Sequence, residues 1–114
     1  MKSASVVIPS YKSKDTIIPV LEALMAQETD VPFEIIFVDS SNDETAEMVR
    51  ERFPQATVIA SKERLLGGAA RNLGAEKASG EIIYNLDADC IAEKDWLAKM
   101  WQAHQDWDCA AVGG

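Results

Sequence analysis

The segment Asp87-Ala88-Asp89 follows directly on an apolar run that ends at Leu86. Side chains alternate along an extended chain, so two carboxylates one residue apart cannot share a face there. Where a strand ends and the chain turns, both can converge on one hard cation, and Mg²⁺ or Mn²⁺ bridging to substrate phosphates is the usual use of such a pair. The competing reading is an acidic turn leading into the helix that carries Asp95 and Trp96. Asp39 closes a second apolar run. A carboxylate there can accept from a base N–H or a ribose hydroxyl, or order its loop as an Asx-turn residue. In Gly67-Gly68-Ala69-Ala70-Arg71-Asn72 the glycines permit close backbone approach, and a helix N-terminus favours anions. Arg71 can hold a diphosphate oxygen or an aspartate, or pair on the surface with Glu76 or Asp89. Cys90 carries a soft thiol, a poor partner for a hard cation, and reads as a packing residue.

These residues need elements to position them, and the apolar pattern supplies an alternating series. Ser5–Ile8 reads as a strand stopped by Pro9. Ile17, Ile18, Leu21, Leu24 and Met25 have helical spacing, and Pro19 is tolerable only if that helix starts near Thr16. Phe33–Val38 is a continuous strand broken only by Glu34. Ser41 and Glu44 then form an expected capping box, with Ala46, Val49 and Phe53 as the buried stripe of a helix ended by Pro54. Ala56–Ala60 is a third strand. Leu66, Ala69, Ala70 and Leu73 carry a third helix, with Gly80 as its stop. Glu81–Leu86 is a fourth strand, Glu93–Gln105 a fourth helix and Cys109–Val112 a fifth strand. Strands without period-2 alternation, joined by helices, imply a Rossmann-like, doubly wound α/β fold with a mainly parallel sheet. Ligands in such sheets sit beyond the carboxyl ends of the strands. This places the chemistry at Pro9–Tyr11, Asp39–Ser41, Ser61–Glu63 and Asp87–Cys90. Trp96, Trp101 and Trp107 belong to packing or an interface, and His104 to structure or surface.

Composition narrows the functions. The chain has 114 residues, 47% hydrophobic and 26% charged, enough for one domain with a modest core. Eleven Lys and Arg against nineteen Asp and Glu give a net charge of -8, which repels nucleic-acid phosphates and anionic membranes. The same surface repels a phosphorylated ligand unless a cation intervenes. No apolar run is long enough to span a bilayer, and the N-terminus has no secretory signature. Two cysteines form neither a disulfide framework nor a metal pattern, so a reduced cytoplasmic setting is expected.

Taken in order, four blocks resemble the nucleotide-sugar-binding half of family 2 glycosyltransferases, which have the GT-A fold. They are Val6-Val7-Ile8-Pro9-Ser10-Tyr11, Glu34–Ser41 with Asp43 and Thr45, Gly67–Gly74 with Ala78–Glu81, and Leu86–Asp89 with Trp96-Leu97. The resemblance favours a metal role for the acidic pair. It implies that Pro9 and Tyr11 border the nucleotide base, which Asp39 contacts, and that this base is usually uracil. It places Arg71 beside the diphosphate or against the acidic pair. Asp87 touches the ribose or the metal's water shell, Ala88 lies against the nucleotide sugar, and Asp89 binds Mn²⁺ or Mg²⁺ directly. The implied reaction is inverting transfer from a nucleotide-diphospho-sugar, such as a UDP-sugar, to a hydroxyl of a saccharide or lipid-linked acceptor. The ion neutralises the diphosphate, so an acidic protein can hold a dianion.

Three departures stand out. Lys12-Ser13 replaces the family's frequent Asn-Glu, Ser40-Ser41 replaces an acid and a glycine, and no residue here is assigned as the general base. Residues 1–114 are expected to form a single nucleotide-sugar-binding α/β domain, the family's acceptor-binding half lying beyond them, and to be inactive alone. The alternative is a non-catalytic nucleotide-binding or interaction module that keeps the fold and self-associates through an exposed sheet edge or the Trp-rich helix. A uridylyltransferase-like enzyme would need a Gly-rich, basic first loop, which Pro9–Asp15 does not provide.

Overall fold

The computed structural model describes residues 3–41, 43–65 and 67–107 and, at 67 and 104–107, only the backbone. Strands and helices alternate: β1 Ala4–Ser10, α1 Ile17–Met25, β2 Phe33–Asp39, α2 Thr45–Arg52, β3 Thr57–Ala60, α3 Gly67–Lys77, β4 Ile82–Asn85 and α4 Trp96–Trp107. The four strands form one parallel sheet in the order β3-β2-β1-β4. The expected fifth strand, Cys109–Val112, lies outside the described residues.

The unbroken apolar runs have two faces to fill. Val6, Ile8, Ile35 and Phe37 pack with α1, Val49 of α2 and Leu97 of α4. Val7, Ile36 and Val38 point the other way and pack with Ala70 of α3. All of these are buried, which is why β1 and β2 show no alternation in hydropathy. Strand order reverses at β1, since β2 and β3 lie on one side and β4 on the other. The switch point therefore falls between the ends of β1 and β4.

β1 continues through Pro9 rather than stopping there. The Val7 carbonyl accepts from Leu86 N at 3.0 Å, on the β4 side. Pro9 faces that same side, but the β1–β4 ladder ends at Val7–Asn85. Its missing N–H therefore breaks no ladder bond, and pairing with β2 runs on to Ser10–Asp39. Pro19 is the third residue of α1, within the turn whose amides have no helical partner, as its position required.

Two expected helix signals act differently. The Ser41–Glu44 capping box does not form, and α2 starts without a side-chain cap from Glu44. Asp43 accepts from Thr45 N at 2.8 Å instead. Glu44 pairs with Lys14, and Ser41 turns to Asp39. Nor is Gly80 a left-handed helix stop, since no described glycine has positive φ. A Cβ at Gly80 would lie 2.6 Å from the Ala4 carbonyl carbon and 2.8 Å from Ser5 N, so the glycine is there for close approach to β1. Beside it, Glu34 Oε2 accepts from Ser5 Oγ at 2.6 Å, Ser79 N at 2.6 Å, Ser79 Oγ at 2.8 Å and Gly80 N at 3.2 Å. Glu34, near the start of β2, thus fastens β1, β2 and the segment before β4.

Burial alone would raise the Glu34 carboxyl, but the hydrogen bonds from Ser5, Ser79 and Gly80 outweigh it and hold the group below its ordinary value. A lowered folded pKa contributes stability above the unfolded value near 4.5, and that contribution is lost as pH falls through the folded pKa. Glu34→Gln is expected to cost about 1–3 kcal/mol at neutral pH and to flatten the acid limb of a stability-against-pH curve. Unchanged urea midpoints at pH 7 and pH 4 would refute this role.

Gly74 supplies a second test. A Cβ there would overlap Val7 Cγ1 and lie 3.3 Å from Val38 Cγ2, both on fully buried side chains. Gly74→Ala gains about 1 kcal/mol of helix propensity and loses about 1–3 kcal/mol to overpacking. A lower melting temperature than wild type is the expected outcome.

Candidate functional site

The site forms where β1 and β4 end. After β4 the chain turns at once, with Cys90 N donating to the Asp87 carbonyl at 3.1 Å. This turn releases Asp87 and Asp89 from strand alternation. Oxygens of both carboxylates and Cys90 Sγ all lie within 4.8 Å of one another. The turn is braced by Thr16, whose single Oγ1 hydrogen is shared between the Ala88 carbonyl at 3.0 Å and the Ser13 carbonyl at 3.2 Å. Thr16 immediately precedes α1, so the helix start and the acidic turn share one hydroxyl.

Pro9, Tyr11, Asp87, Ala88 and Asp89 line one open cleft of about 470 Å³. Pro9, Tyr11, Arg71 and Asp87 line an adjoining cleft of about 230 Å³. Five of the six residues expected to contact the nucleotide sugar, together with Asp89, are thus contiguous. Arg71 Nη2 is 3.9 Å from Asp87 Oδ1, so its partner is Asp87 rather than Glu76 or Asp89. Both side chains are about half exposed, so the pair adds little stability and serves to aim the groups.

Asp39 is placed apart. It is 2% exposed and lines a separate cavity of about 230 Å³ with Arg50 and Lys62. Its Oδ1 accepts from Ser10 Oγ at 3.1 Å, Ser41 Oγ at 2.6 Å and Ser41 N at 3.3 Å. The loop-ordering Asx contact is therefore formed. The two loops that depart from the family pattern also meet. Lys12 N donates to Ser41 Oγ at 2.5 Å, the Ser10 and Ser13 hydroxyls bond each other, and Ser40 N donates to the Ser10 carbonyl at 3.0 Å. Lys12 reaches this position at φ 54.

Cys90 is exposed, which corrects its reading as a packing residue. Partial desolvation and the carboxylates of Asp89 and Asp87 push its thiol up, so it stays protonated and is a weak ligand for a hard cation. The donor set fits Mg²⁺ or Mn²⁺ well: two exposed carboxylates on one turn, open towards the larger cleft. Trp96 packs edge-on against Tyr84 at 6.0 Å, and Trp96 and Trp101 both lie against the core. The side chains of His104 and Trp107 lie outside the described residues.

Sequence reasoning missed three positioning groups. Thr16 was legible only as a helix start. Gln27 Oε1 accepts from Leu97 N at 2.8 Å, while its Nε2 donates to the Glu93 carbonyl at 2.5 Å and the Ala23 carbonyl at 3.3 Å. Gln27 so fixes the first turn of α4 and the segment from the acidic turn to that helix. Arg64 lies with its guanidinium carbon 4.3 Å from the Tyr11 ring centroid. No local pattern marks either long side chain.

A parallel sheet with an acidic turn and an arginine-lined cleft at its switch point is the GT-A arrangement of glycosyltransferases. Over residues 5–114 the sequence matches the profile of glycosyl transferase family 2, and the chain belongs to that family. It is 35% identical over 114 residues to the uncharacterized glycosyltransferase YfnE of Bacillus subtilis, covering 97% of this chain and 29% of that protein. Its fold is similar to that of Staphylococcus aureus TarS residues 1–349, with a TM-score of 0.78 at 28% identity over 93% of this chain and 33% of that 1–349 chain. It is also similar to the mannosyltransferase PcManGT of Pyrobaculum calidifontis, solved with GDP-Man and Mn²⁺. Here the TM-score is 0.79 at 32% identity, over 89% of this chain and 32% of that one. The chain spans about a third of the length of these relatives. None of the described helices is long and apolar enough to cross a membrane.

Gln27→Ala is expected to cost about 1 kcal/mol, the scale of a lost helix cap. Amide exchange at Leu97 should accelerate while that of Val6 and Phe37 follows only the global change. Equal acceleration at all three amides would refute a local clamp.

Proposed function

We propose that this chain is the donor-binding portion of a glycosyltransferase that moves a sugar from a nucleotide-diphospho-sugar to an acceptor hydroxyl with inversion. The observation that carries the reading is the turn at the end of β4, which brings two carboxylates together at the mouth of a cleft walled by Tyr11 and Arg71. Asp89 and Asp87 would hold a divalent cation, Mn²⁺ or Mg²⁺. Such an ion, when bound, neutralises the diphosphate and stabilises it as a leaving group. Relatives solved with UDP-GlcNAc and with GDP-Man and Mn²⁺ support a nucleotide-sugar ligand of this class.

The chain's own residues orient the donor. Tyr11 offers an aromatic face to the base, and Pro9 fixes the strand end from which Tyr11 projects. Arg71 presents guanidinium donors to phosphate oxygens and keeps Asp87 turned towards the cleft. Thr16 holds the Ala88 carbonyl back into α1, which leaves both flanking carboxylates free to face the ligand. UDP is the expected nucleotide, a saccharide or lipid-linked hydroxyl the acceptor, and a cytoplasmic setting the compartment.

Calorimetric titration with UDP, GDP and dTDP, each with and without Mn²⁺, tests the reading. One nucleotide should bind only with metal, and Asp89→Ala should weaken it at least about tenfold, the loss of one charged ligand contact. Absence of binding to all three would overturn the donor-site assignment and leave the fold alone.

A further inference from the structure

Helix α1 holds the segment that follows β4 at two places. Before its first residue, Thr16 Oγ1 lies 3.0 Å from the Ala88 carbonyl. A threonine there ordinarily caps the helix, yet Thr16 makes no side-chain cap to α1. Its hydroxyl is turned to the carbonyls of Ala88 and Ser13 instead. Just past the other end, Gln27 Nε2 donates to the Glu93 carbonyl at 2.5 Å, and Oε1 accepts from Leu97 N at 2.8 Å. Beside it, Glu28 N donates to the Lys94 carbonyl at 2.6 Å.

The two anchor spacings are nearly equal. Thr16 and Gln27 are eleven residues apart, which is about 16 Å at helical rise. Ala88 and Glu93 are five residues apart and span at most about 18 Å when fully extended. The turn at Ala88 and Asp89 shortens that reach, and the long Gln27 side chain makes up the difference. Residues 90–93 accordingly form neither helix nor turn. The segment is a strap drawn along α1 with little slack. Ala88 and Ala92 pack against the core, while Asp89, Cys90 and Ile91 between them are exposed. Among the described residues, the Asp89 carboxylate meets nothing stronger than Cys90 Sγ at 3.8 Å, on the same turn. Its place is therefore set by the fastenings of the strap rather than by contacts of its own.

Given the reading of Asp87 and Asp89 as cation ligands above, we propose that Thr16 and Gln27 are positioning residues that jointly set the divalent-cation affinity of the acidic turn. Gln27 acts from the far end of α1 and bonds to no residue of the turn itself. Releasing either fastening gives the whole strap slack, and Asp89 then loses its fixed distance from Asp87. The two residues form one device, so their losses overlap instead of multiplying.

The test titrates Mn²⁺ alone into the chain. Water-proton relaxation reads the affinity, and paramagnetic broadening of the Ala88, Asp89 and Cys90 amides reads the location. Thr16→Val and Gln27→Ala should each weaken Mn²⁺ at least about threefold, the scale of one lost hydrogen bond. Thr16→Ser keeps the hydroxyl and should hold wild-type affinity. The double variant should lose clearly less than the product of the two single losses. Glu34→Gln controls for stability, since it loosens β1 and β2 at the opposite end from the turn and should leave Mn²⁺ affinity unchanged. Circular dichroism and the melting temperature check that each variant folds. A loss below about threefold in either single variant, the size of bond the strap invokes, would overturn the strap while the donor site stands. So would losses that multiply in the double variant, or an equal loss in Thr16→Ser or Glu34→Gln. A wild type with no Mn²⁺ effect at these amides would overturn the cation reading and the strap together.

Discussion

The backbone of β1 is the constraint on which the cleft depends. Its two ends of pairing are staggered: the Val7 carbonyl takes the last bond from the β4 side, at Leu86 N, and the Ser10 carbonyl takes the last from the β2 side, at Ser40 N. Between these two points β1 has a neighbour on one edge only. Pro9 sits in that gap, where an N–H has no partner and its ring fixes the chain direction. The stagger opens the sheet on one side just before the chain turns, so Tyr11 and the Asp87–Cys90 turn leave from levels that differ by several residues. A cleft with one wall from each strand follows from that offset.

Charge is distributed to suit an anion despite a net of -8. Lys12 and Arg64 lie over Tyr11 and Arg71 pairs with Asp87, while Asp89 lines only the larger of the two clefts. Local basic groups therefore define where a dianion can approach, and the carboxylates define where a cation must come with it.

Much of the architecture was legible because apolar runs and helical spacing are averaged over many residues. All four described strands and all four helices overlap the segments that the pattern marked, and the strand ends alone place the acidic turn and Tyr11 on the carboxyl side of the sheet. Local capping signals failed for a physical reason: Ser41 is held by Asp39, two residues before it, and by the Lys12 amide, and Glu44 is held by Lys14, both lysines lying in the segment between β1 and α1. Gly80 was legible as a special position but not for the right cause, since its neighbour is β1, remote in sequence. The same limit hid Thr16, Gln27 and Arg64. Each acts through a partner in another element, and no spacing within the chain encodes that distance. The placement of Asp39 beside a separate cavity was likewise invisible, because one of the two hydroxyls that hold it, that of Ser10, comes from the end of β1, remote in sequence.

Gly74 packs directly on Val7 and Val38, so α3 rests on the sheet with no side chain between them. Arg71 stands one turn earlier on that same helix and reaches across to Asp87. The helix is thus a gauge: the thickness of the Val7–Val38 layer sets how far Arg71 stands from the acidic turn. Bulk added under α3, even where the core absorbs it without melting, lifts the arginine away from its partner. Drift in buried valines would then register first as altered ligand geometry, and only later as lost stability.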